Sequence, residues 1–125
     1  MPDRAVLDLS PPPSVNLLRK LNRKALTRYA YWHEVCDRMV TKQWADAKLR
    51  GSSRPNFGDE PVQITVQLSH RLRHDPDNTL KALLDYLTRI EVIRDDSKRF
   101  VRRIVIEWVE PASAPEGVRL TVARV

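Results

Sequence analysis

The chain has 125 residues, 42% of them hydrophobic and 30% charged, which fits one globular domain of modest core and excludes a disordered chain. Lys and Arg number 22 against 16 Asp and Glu, a net charge of +6 with a pI near 9.9. That balance suits a polyanionic partner, since each neutralised phosphate releases counterions, and it equally serves as a solubilising surplus.

Residues Ala5 to Leu9 alternate, with Leu7 and Leu9 set against Val6 and Asp8, which predicts a short strand. Pro11, Pro12 and Pro13 end it, because three prolines cannot sit inside a ladder. Five basic residues, Arg19, Lys20, Arg23, Lys24 and Arg28, lead into a long helix from about Leu26 to Leu49. Tyr29, Trp32, Val35, Cys36, Met39, Val40 and Trp44 fall three or four apart and form its apolar stripe. Gly51, Ser52 and Ser53 stop the helix. Cys36 is the single cysteine, so neither an internal disulfide nor a thiolate zinc site can be built from it.

Val62 to Leu72 predicts a second strand, with Val62, Ile64, Val66 and Leu68 on one face. It runs into Arg71-Leu72-Arg73-His74. A second helix follows Asp75-Pro76-Asp77-Asn78 and extends to about Ile90, with Leu80, Leu83, Leu84, Leu87 and Ile90 as its buried stripe. Arg94-Asp95-Asp96-Ser97 is a turn. Val101 to Val109 is a strand, with Ile104, Ile106 and Trp108 pointing one way and Trp108 expected in the core. Residues 111–117 form a loop, and Val118 to Val125 a last strand. The order β-α-β-α-β-β predicts one α/β (α+β) domain over residues 1–125, with a mixed sheet and two main helices.

No stretch approaches the roughly 18 apolar residues of a membrane span. The opening MPDRAVLDLS has no apolar signal stretch. The expectation is a soluble, cytoplasmic protein that is not secreted.

The informative run is His74-Asp75-Pro76-Asp77-Asn78-Thr79-Leu80-Lys81. Pro76 pushes Asp75 toward extended geometry, where residues two apart point the same way, so Asp75 and Asp77 are expected to aim at one spot. Asp77 or Asn78 would cap the helix, and Lys81 sits one turn beyond Asp77. Two carboxylates at a strand-to-helix corner suit a hard cation such as magnesium, which fills its shell with water and phosphate. A third acid could come from Asp95-Asp96, if the flanking strands are neighbours and that turn ends near the corner. Asp-Pro and Asp-Asp pairs are also ordinary turn and cap residues.

The run Asp75-Pro76-Asp77-Asn78-Thr79-Leu80-Lys81 through Asp85, followed by Asp95-Asp96-Ser97, resembles the core motif of the RusA family of Holliday junction resolvases. Pro12-Pro13-Ser14-Val15-Asn16 resembles that family's N-terminal Pro-Pro-Ser-x-Asn signature. The likeness spans roughly residues 5 to 110, carried by about a fifth of the positions. It implies a homodimeric, magnesium-dependent endodeoxyribonuclease that hydrolyses phosphodiesters in four-way DNA junctions, in recombination and repair. It implies that Asp75, Asp77 and Asp96 bind Mg2+ (with Mn2+ as a substitute), that Asp95 is a further candidate ligand, and that Lys81 assists catalysis. It also implies a nucleoid-associated protein when DNA is bound. The segment after Asn16 reads Leu17-Leu18-Arg19-Lys20 where the family has an aromatic-rich run, so DNA sequence preference does not carry over.

Arg19, Lys20, Arg23, Lys24, Arg71 and Arg73 flank the acids in sequence and are the candidate phosphate contacts. His33, His70 and His74 lack metal-ligand spacing, although His74 adjoins the acids. Tyr29, Tyr31, Trp32 and Trp44 read as core or dimer packing rather than as a stacking platform for bases. Two rival readings share these residues. One is a non-enzymatic basic DNA-binding module, with the acids as caps and turns. The other is a metal nuclease acting on RNA, flaps or forks.

Overall fold

The fold is taken from a computed structural model, which describes residues 4–13, 23–69, 76–110 and 117–125, with the backbone alone for 23–26 and 76–78. The elements are β1 (Arg4–Leu9), α1 (Arg23–Leu49), β2 (Val62–Ser69), α2 (Pro76–Arg89), β3 (Val101–Val109) and β4 (Val118–Arg124). The order is the one that hydropathy alternation predicts. The class is α+β: two helices on a four-stranded mixed sheet. No helix among the described residues is long and apolar enough to cross a membrane.

The strands lie in the order β1-β4-β2-β3. β4 pairs antiparallel with both β1 and β2, and β2 pairs parallel with β3. Alternation then sorts the side chains by face. Leu7, Leu9, Ile64, Val66, Leu68, Leu120 and Val122 are buried on the side that the helices cover, whereas Gln63, Thr65, Gln67 and Thr121 are half-buried on the other. Trp32, Cys36 and Val40 from α1 and Leu83, Leu84, Tyr86 and Leu87 from α2 complete the core. Burial on this scale is the main favourable term in folding a domain this small.

Both helices end in the same capping geometry. At the end of α1, Ser52 N donates to Ala47 O at 2.9 Å and Gly51 N to Lys48 O at 3.0 Å. At the end of α2, Val92 N donates to Leu87 O at 3.0 Å and Glu91 N to Thr88 O at 3.1 Å. These are Schellman motifs, which need a left-handed residue after the helix. Gly51 takes that conformation at φ 85°, but at α2 it falls to Glu91 at φ 63°, a strained choice for a residue with a Cβ.

β2 is described over Val62–Ser69, and residues 70–72 of the predicted strand lie outside the described residues. One expectation is corrected. Trp108 is not in the core: it is 47% exposed. Alternation rightly assigns Trp108 to the helix-facing side, because it pairs with the buried Leu68. β3, however, is an edge strand beyond the cover of the helices, so facing the core side does not bury it.

Candidate functional site

The parallel β2–β3 pair decides where the predicted acids can meet. A helix that links two parallel neighbours must run back against them, so its two ends lie at opposite ends of the strands. α2 has 14 residues, about 20 Å of helix. Its C-terminal end is fastened near the start of β2: Phe57 N donates to Val92 O at 3.0 Å and Val62 N to Phe100 O at 2.7 Å. Its N-terminal end, with Pro76 and Asp77, therefore points to the other end of β2.

Asp77 is the second residue of α2, so its backbone is helical rather than extended. Pro76 suits a first helical position, where no N–H is needed. The expectation that the chain is still extended through Asp77 is thus corrected. Lys81 is exposed one turn further on, and Asp77, Lys81 and Asp85 follow one another at four-residue steps along the helix. Asp75 lies outside the described residues, as do His70, His74, Arg71, Arg73, Arg19 and Lys20. The same is true of the side chains of Arg23 and Lys24, whose backbone opens α1.

Asp95 and Asp96 sit at the opposite end of α2. Phe100 N and Val101 N both donate to Ser97 O, at 3.0 and 2.9 Å, which ties this turn to the start of β3. The expected approach of Asp96 to the Asp77 corner is therefore not met within one chain. Strand adjacency was the right premise, but a parallel crossover returns to the wrong end. Asp95 is engaged locally: its carboxylate accepts from Ser97 N at 2.7 Å, and hydrogen bonding to Ser97 holds it below the usual carboxylate range. Asp96 is exposed. Among the described residues no three His, Cys, Asp or Glu side chains gather as a cation shell.

Sequence reasoning passed over a basic set beside Asp96. Lys98, Arg99, Arg102 and Arg103 are all exposed within seven residues of it, on the turn and the first part of β3. The signal was present as a charge run, Ser97-Lys98-Arg99, then Arg102-Arg103, but it was read as strand alternation. Within this set Arg99 lies over the Phe100 ring, 5.3 Å from its centroid. Several other cations are engaged within the chain. Arg119 binds Asp8 at 2.8 Å, Arg124 binds Glu60 at 3.0 Å and Arg89 binds Asp37 at 3.2 Å. Arg54 stacks over Trp44, 4.5 Å from the ring centroid, and donates to Ile90 O at 2.9 Å.

Three further titratable groups lie in or against the core. Tyr86, fully buried, donates its hydroxyl to Asp37 Oδ1 at 2.7 Å and joins α2 to α1. Burial, then that bond to a carboxylate, pushes its ionisation far up. Burial, then the Arg89 charge, pushes His33 down. Cys36 is buried and its thiol is pushed up to about 11, mainly by desolvation, so it packs as an inert apolar side chain. Trp32 is buried, Tyr29 and Trp44 pack against the core, and Tyr31 is 63% exposed.

The chain matches no protein-family model and no curated protein sequence. The class that fold and geometry define is a small basic α+β domain with an acid-bearing strand-to-helix corner.

Proposed function

We propose that the chain is a magnesium-dependent, structure-specific endodeoxyribonuclease that cuts branched DNA, with the four-way junction as its substrate. The observation that carries this reading is the Asp75-Pro76-Asp77 run at the start of α2, with Lys81 exposed one turn on. The surplus of basic residues supports DNA as the partner.

The donor set fits the cation by its chemistry: magnesium takes hard oxygen ligands and only one or two carboxylates from protein. Asp75 and Asp77 would hold it. Asp96 fits the same ion only if a second chain supplies it, because Asp96 and Asp77 belong to opposite ends of α2. The reading therefore requires a dimer. Asp95, already accepting from Ser97, is the weaker ligand. Bound there, the ion would polarise the scissile phosphate and lower the pKa of a water. Lys81 would place an ammonium beside the phosphate and offset the negative charge that develops in the transition state. The exposed Lys98, Arg99, Arg102 and Arg103 would contact backbone phosphates, as would the predicted Arg19, Lys20, Arg23, Lys24, Arg71 and Arg73.

The test is incubation with labelled junction, fork, duplex and RNA, with and without magnesium. Cleavage confined to junctions and dependent on the metal is expected. Binding without cleavage of any substrate would leave a non-enzymatic DNA-binding module in its place, and cleavage of forks or RNA in preference would move the substrate. Asp77→Asn should retain junction binding and lose cleavage.

A further inference from the structure

The sheet ends at β1 on the side away from β3. Between β1, the last turns of α1 and the turn that follows lies a cleft of about 560 Å³, a size that suits a small ligand. Strand geometry sets what β1 offers to it. A residue's N–H and C=O point to the same side of its strand, and that side reverses at each step. At Asp8 both groups point away from β4, since Gln43 Oε1 accepts from Asp8 N and Gln43 Nε2 donates to Asp8 O, each at 2.8 Å. Val6, two residues earlier, turns the same pair outward on the cleft that it lines. No hydrogen bond among the described residues takes that pair.

Gln43 shows what such a pair binds: one planar group with a donor and an acceptor side by side. It also fills the next position along the edge, so no strand can run on past it, and what remains is room for a small molecule. A nucleobase carries the same donor–acceptor edge. The walls supply the rest. Arg4 and Arg50 line the cleft from β1 and from the end of α1, both exposed and neither with an ion-pair partner among the described residues. Asp8 is held by Arg119, which leaves Asp46 as the unengaged acid of the lining. Two guanidiniums suit a phosphate dianion, which they bind by paired hydrogen bonds. A free carboxylate suits sugar hydroxyls. Trp44, half-buried, adds an indole beside which a flat ring can lie.

We propose that this cleft is a binding site for a nucleoside monophosphate. The backbone of Val6 reads the base edge, Arg4 and Arg50 hold the phosphate, and Asp46 accepts from the ribose. The site stands apart from the nuclease reading. Arg4 pairs with Ala123, and Val62 with Arg124, so the cleft lies at the end of the sheet where β2 starts, whereas α2 begins at the other end.

The test titrates the whole chain, without DNA or metal, with adenosine monophosphate, read by calorimetry and by amide NMR. One nucleotide should bind per chain. The Val6 amide proton should shift, while those of Ala5 and Leu7, already turned toward β4, should move little. Arg4→Ala and Arg50→Ala should each weaken binding about tenfold, the loss of a hydrogen bond to a charged group. Both side chains are exposed, so the circular dichroism should stay native. Arg103→Ala, on the far edge, should leave the affinity unchanged. Asp46→Ala should abolish a preference for the ribonucleotide over its 2′-deoxy form. No saturable binding of adenosine monophosphate would overturn the proposal, and so would binding indifferent to both arginine variants. Inorganic phosphate held as tightly as the nucleotide would overturn the base readout and leave an anion site. Tighter binding of N-acetylglutamate would overturn the nucleotide and put an acylated amino acid in its place.

Discussion

The sheet has two edges, and they are finished differently. At the β1 edge, Gln43 of α1 accepts from Asp8 N and donates to Asp8 O, both at 2.8 Å, and so occupies backbone groups that another strand could take. Trp32 Nε1 donates to Ser10 O at 2.8 Å, and the prolines follow. At the β3 edge, among the described residues, no helix arrives and Ile104 and Trp108 stay exposed. One edge is closed by the chain itself, and the other is left in the form that strand addition requires. The difference follows helix placement: α1 packs on β1, whereas neither described helix packs extensively on β3.

The contrast predicts unequal costs for like substitutions. Trp32→Ala should be the most damaging, at about 3–5 kcal/mol, because a buried indole leaves a cavity and an orphaned carbonyl. Trp108→Ala should cost within about 0.5 kcal/mol in the dissociated chain, as an exposed substitution does. Urea unfolding of both at high dilution measures the difference, and equal costs would erase the distinction between the edges. Tyr86→Phe should cost roughly 1.5 kcal/mol, since it removes a bond to a carboxylate that joins the two helices. Gln43→Ala should cost about 1 kcal/mol and, unlike the others, should raise association at high concentration by opening the second edge.

Smaller effects come from the connections. Glu91→Gly should stabilise by about 0.5–1 kcal/mol, because glycine adopts the left-handed cap before β3 without the Cβ clash. A thermal shift of the opposite sign would show that the Glu91 side chain has a use. His33, whose pKa is lowered in the fold, binds its proton less readily there than in the unfolded chain. Its contribution is complete above the ordinary value of 6.5 and is lost as pH falls below it. Melting temperature should therefore decline below that pH, and His33→Gln should flatten the decline.

Element order was legible in the sequence because it depends on periods of two and of 3.6, which are local. The stripe Trp32, Cys36 and Val40 and, on α2, Leu83, Leu84 and Leu87 are buried as their spacing predicts, with Leu80 partly buried. The Asp77 to Lys81 relation was also legible, since one helical turn fixes it. Trp108 and Asp96 were not. Alternation says which way Trp108 points but not whether a helix lies above it. The spacing from Asp77 to Asp96 fits a helix and return, but not the end of the sheet at which the return arrives.

What the sequence determined by itself is the set of elements, their buried faces and the acid-bearing corner at the head of α2, each a matter of neighbours within a few residues. Tertiary structure alone decided that β2 and β3 run parallel, that β3 lies at the edge, and that the two acidic turns stand at opposite ends of one helix. Those facts depend on which strands pair and in what direction, and strand pairing is set by packing between segments far apart in the chain.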